Sequence, residues 1–89
     1  MSESDQLQHR DSLLKRLARV EGQVRGIQAM IKRGDECESI AQQFSAARKA
    51  LDKAYKEMLI CLAEEAILSP EQSNQDKLAQ VRTIFTKYT

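Results

Sequence analysis

The sequence predicts an all-α chain of three helices, and three observations carry that reading. Apolar residues recur at alternating steps of three and four along most of the chain. No stretch alternates with the period of two that a half-buried strand needs, and the breaks fall at Gly34-Asp35 and Ser69-Pro70. In a first helix over about residues 8–33, Leu13, Leu17, Val20, Val24, Ile27 and Ile31 step 4, 3, 4, 3, 4. Gly22 and Gly26 interrupt it, each at a cost of up to about 1 kcal/mol, and small residues at helical spacing point to close approach by another helix. Gly34 supplies the stop and Asp35 a candidate N-cap. The second helix spans about residues 36–68, with Glu36 and Glu38 where the helix dipole favours acids. Ser69-Pro70-Glu71 ends it and starts a third helix, about residues 71–88, on which Leu78, Val81, Phe85 and Tyr88 step 3, 4, 3. Residues 1–6 are polar and expected to fray, and residues 1–89 read as one domain.

The second helix carries the most informative pattern. Cys37, Ile40, Phe44, Ala47, Leu51, Ala54, Met58, Cys61, Glu65 and Leu68 step 3, 4, 3, 4 without a break, the rhythm of a coiled-coil seam. The two cysteines are 24 residues apart, roughly 36 Å along one helix, so they cannot meet within a chain. Two copies packed antiparallel about a centre near Lys49 would set Cys37 of one beside Cys61 of the other. A helix of about 50 Å also outruns a third helix half its length, so most of its seam needs a partner chain.

Composition agrees. Eighty-nine residues with 42% apolar content, no Trp and four aromatics make a marginal monomer, and oligomerisation is the natural remedy. No signal peptide or membrane-length apolar run is present, so the reading is cytoplasmic with no membrane partner. In a reducing compartment the thiols are expected to be free, metal-bound or transiently modified rather than in a permanent disulfide. No Gly-rich phosphate loop, Ser/His/Asp set or α/β pattern supports an enzyme.

Net charge is only +1, but its distribution is uneven. Residues 10–33 carry seven basic against two acidic side chains, a balance of +5, and residues 48–56 add +3. Segregated basic helices on a neutral chain suit a polyanion, and Arg on the first helix suits phosphate. The competing readings are a solvated helix face and a helical adaptor whose seam binds another coiled coil without touching DNA.

The run Leu14-Lys-Arg-Leu-Ala-Arg-Val-Glu-Gly-Gln-Val-Arg-Gly-Ile-Gln-Ala-Met-Ile31 resembles the first helix of the CsoR/RcnR/FrmR-type family of small all-helical bacterial repressors. These sense copper, nickel or cobalt, formaldehyde or persulfide. The similarity continues through Cys37, Gln42-Gln43, Ser45-Ala46-Ala47-Arg48 and Leu51 and then weakens. It implies an antiparallel homodimer built on the second helix, a four-helix bundle, and a dimer-of-dimers homotetramer. It further implies that Arg16, Arg19 and Arg48, with Lys53 and Lys87, hold operator DNA. Cys37 matches the effector cysteine that opens the second helix, where effector action lowers DNA affinity.

The departures bear on the effector. Metal sensors of the family place a His 25 residues after this cysteine and often a Cys four further on; here Leu62 and Ala66 stand there. Cys61 lies one residue before the first of these, about 100° round the helix. The expected function is therefore a DNA-binding repressor released when reactive sulfur, an oxidant or an electrophile acts at a cross-subunit Cys37/Cys61 thiol site. The alternative is Cu(I)-type sensing, with Cys37 and Cys61 as thiolate ligands and His9 as a third. His9 is the chain's one histidine and lies near the start of the first helix, where some relatives supply a ligand; a solvent-exposed terminal His is its other reading. For formaldehyde, the N-terminal Pro of some such sensors is replaced by Ser2.

Overall fold

A computed structural model of the chain describes residues 3–89, with side chains from residue 7 onward. The described residues form three helices: α1 (Glu3–Arg33), α2 (Cys37–Ile67) and α3 (Asn74–Tyr88). The all-α reading holds. The side chains of residues 1–6, expected to fray, lie outside those described, and α1 already runs from Glu3.

The turn from α1 to α2 is closed by backbone geometry. Gly34 takes φ +74, a conformation that favours glycine. Its N–H donates to Ile31 O at 3.1 Å and the Asp35 N–H donates to Met30 O at 3.0 Å. These two bonds make the Schellman pattern and satisfy carbonyls the helix end leaves open. Asp35 does not cap α2 as the sequence suggested. Its carboxylate turns back to Arg33, with Nη2 to Oδ2 at 2.7 Å, and Glu36 occupies the cap position without a side-chain bond.

The start of α3 also differs from expectation. Ser73, not Ser69 or Pro70, is the N-cap, its hydroxyl accepting from the Asp76 N–H at 3.1 Å. A capping oxygen three residues before an acidic side chain outweighs proline here, because it satisfies an otherwise open donor. Ser73→Ala is expected to lower stability by about 1 kcal/mol, read as a lower denaturant midpoint at unchanged slope.

α2 packs against α1 on one side and α3 on another. The chain measures 57 × 28 × 12 Å, and its thinnest dimension is about one helix diameter. A slab one helix thick cannot enclose large side chains. Among the described residues the buried apolar set is accordingly small: Val20, Ile27, Ala47, Ala54, Cys61, Ala66 and Ile84. Phe44, Leu51, Met58, Leu78 and Phe85 remain exposed.

The seam on α2 therefore splits into two rows. Ala47, Ala54 and Cys61, seven residues apart, are buried, whereas Cys37, Phe44, Leu51 and Met58, also seven apart, are exposed. α1 repeats the division, with Val20 and Ile27 buried and Leu17, Val24 and Ile31 open. A 3,4 repeat is two heptad rows side by side, and in one chain each helix offers one row to its neighbour. The close helix approach expected at Gly22 and Gly26 does not occur within the chain, since a Cβ at either position would meet nothing within 4 Å.

Candidate functional site

The two thiols sit in opposite surroundings. Cys37 is the first residue of α2 and is exposed; Cys61, nearly seven helical turns on, is buried at 8% exposure, and both are free. Burial pushes the Cys61 thiol above its ordinary value, Glu65, Glu64 and Glu57 push the same way, and Arg10 opposes them. A raised thiol holds less thiolate at neutral pH and reacts slowly. Iodoacetamide is expected to label Cys37 at least about tenfold faster than Cys61, as peptide mass spectrometry resolves. Equal rates would mean that Cys61 is not shielded as described.

The expectation that both sulfurs lie on one continuous seam facing a partner chain needs correcting. Cys37 belongs to the exposed row with Phe44 and Leu51, and Cys61 to the buried row with Ala47 and Ala54. The two positions at which the resemblance implies metal ligands face elsewhere again. Leu62 and Ala66 line a cavity of about 540 Å³ between α2 and α3, together with Glu65, Ile84 and Lys87.

His9 is half-buried rather than a solvent-exposed terminal residue. Its side chain is 21% exposed and bridges two carboxylates of α2, with Nε2 3.0 Å from Glu64 Oε2 and Nδ1 3.8 Å from Glu57 Oε1. Glu57 also accepts from Ser12 Oγ at 3.1 Å and from Arg16 Nε at 2.9 Å. The sequence reading passed over Glu57 and Glu64. Their signal was present: both pairs, His9 with Arg16 and Glu57 with Glu64, are seven residues apart, and a hairpin folded at Gly34 sets the pairs opposite each other. Among the described residues, no group of three or more His, Cys, Asp or Glu in one chain is arranged to hold a metal ion.

The basic candidates divide into two places. Arg48 and Lys53 of α2 line an open groove of about 990 Å³ with Leu13, Leu17, Leu51 and Met58, which brings them to the same α1/α2 face. Arg19 is exposed on α1. Arg16 is on α1 too, but its guanidinium is held by Glu57. Lys87 is separate: it lines the α2/α3 cavity, with Nζ 5.4 Å from the centre of the Tyr88 ring. No helix among the described residues is long and apolar enough to cross a membrane.

The profile of the metal-sensitive transcriptional repressor family matches residues 9–87. The chain is 30% identical over 82 residues to the copper-sensing transcriptional repressor CsoR of Bacillus subtilis, covering 90% of this chain and 81% of that one. It is 31% identical over 86 residues to an uncharacterized protein in the bioA 5′ region of Serratia marcescens, covering 90% and 93%. It is also 50% identical over 44 residues to the copper-sensing transcriptional repressor RicR of Mycobacterium tuberculosis, covering 49% and 46%. These matches confirm the resemblance seen in the first helix: the chain belongs to the family of metal-sensitive transcriptional repressors.

Proposed function

We propose that this chain is a homotetrameric repressor that binds operator DNA and lets go when a soft metal ion of the Cu(I) type engages Cys37 of one chain and Cys61 of its partner. One observation carries the reading: a member of this family keeps a free, exposed thiol at the first residue of α2, on the apolar row left open for a second chain. The copper-sensing relatives favour Cu(I) over the reactive-sulfur reading.

Donor chemistry decides how far a metal fits. The side chains of Leu62 and Ala66 offer no donor atoms, so the imidazole position that the resemblance implies is lost, and the His9 ring faces Glu64 at 3.0 Å. Two thiolates remain, a set that suits a soft monovalent ion and not a hard divalent one. When bound, such an ion supplies a link between two chains. Cys37 supplies the accessible sulfur, and Cys61 supplies one that must shed its proton against burial. The same two sulfurs, without imidazole, also support a second reading, a reversible disulfide or polysulfide adduct.

DNA would be held by a basic face made of Arg16 and Arg19 from α1 and Arg48 and Lys53 from α2, with Lys87 contributing from α3. Repetition of this face by oligomer symmetry multiplies phosphate contacts and steepens salt dependence. The test is fluorescence anisotropy of the full chain with a duplex it selects from a random-sequence pool, with and without anaerobic Cu(I) or polysulfide. Salt-sensitive, sequence-specific binding that weakens about 5–150-fold with Cu(I) supports the proposal. Release by polysulfide alone favours the second reading, and no specific binding favours a helical adaptor.

A further inference from the structure

Glu57 is half-buried on α2, its side chain 19% exposed, and three groups of α1 reach it. Ser12 donates at 3.1 Å, Arg16 donates through Nε at 2.9 Å, and His9 Nδ1 lies 3.8 Å away. A carboxylate removed this far from water depends on its partners. Arg16, whose side chain is 48% exposed, stands at the edge of that site with solvent on its other side. Only its Nε is bonded to Glu57, so the Nη groups can turn to a phosphate, but the neighbouring carboxylate offsets part of the guanidinium charge and repels the phosphate, which subtracts from DNA affinity.

We propose that Glu57 is a positioning residue that competes with DNA phosphate for Arg16 and thereby sets operator affinity from the α2 side. The inference rests on the DNA-binding reading above and adds a residue outside both the thiols and the basic faces. Glu57 also stands one helical turn before Cys61, on the same helix. His9 lies between Glu57 and Glu64, 3.0 Å from the second, which is three residues beyond Cys61.

A double-mutant cycle on operator binding tests this, using the full chain, metal-free, and the self-selected duplex at fixed salt. Glu57→Gln keeps the shape and the bond from Ser12 but gives up the charge that holds Arg16. It is expected to tighten binding about three- to fivefold, the range of a partly exposed ion pair. In the Arg16→Ala background the same change is expected to do less than about twofold, because its target is gone. A general charge effect would tighten binding equally in both backgrounds, and that result overturns the proposal, as does Glu57→Gln binding no tighter than wild type. Wild-type protein that selects no duplex overturns the repressor reading itself, and the role of Glu57 falls with it.

Discussion

Replacing Cys37 by alanine is expected to abolish release from DNA while leaving DNA affinity within about twofold of wild type. The residue is exposed at the first position of α2, so its loss should cost the folded chain less than about 0.5 kcal/mol of stability. Its thiol is the accessible one of the pair, and without it a metal ion or reactive sulfur finds only the shielded Cys61. The ratio of DNA affinities with and without Cu(I) should fall from 5–150-fold to about one, by anisotropy on the same duplex. A variant that still lets go of DNA normally would remove Cys37 from the effector site.

Changing Leu51 to aspartate is expected to have the second large effect. In a single chain Leu51 is 49% exposed, near the middle of the open row of Phe44, Leu51 and Met58. If the chain acted alone, a polar side chain there would change stability by no more than about 0.5 kcal/mol. In an antiparallel pair of α2 helices the same position lies near the symmetry centre, where both chains would bury an unpaired carboxylate. That costs several kcal/mol per dimer. The variant should therefore sediment as a smaller species than wild type and lose at least about tenfold in DNA affinity. Unchanged sedimentation would mean that this row is not the interface.

Much of this architecture was readable in the sequence because it is written in periodicity. The 3,4 rhythm of Leu13 to Ile31 and of Cys37 to Leu68 located two long helices, and Gly34 located the turn between them to the residue. What periodicity does not say is which of two adjacent rows a neighbouring helix will take. Cys61 was read with Cys37 for that reason, yet α1 covers the row of Ala47, Ala54 and Cys61 and leaves the row of Cys37 open. Cap positions differ from the sequence expectation by one to four residues, because a capping side chain is chosen by the partner that it reaches in the fold. Asp35 went to Arg33, and Ser73 reached the Asp76 N–H. The Glu57 cluster is not plainly legible in the sequence, because an Arg and a His on a basic helix read equally as phosphate, metal or solvent contacts, whereas in the fold both face carboxylates of α2.

One measurement bears on the proposed site more directly than any other: mapping the disulfide that forms between a 15N-labelled and an unlabelled chain, mixed, reassembled and treated with diamide. Mass spectrometry of the digest reads which cysteines join and whether they come from different chains. Head-to-tail pairing of the α2 helices predicts mixed-isotope peptides linking Cys37 to Cys61. Peptides linking Cys37 to Cys37, or no linkage at all, would contradict it.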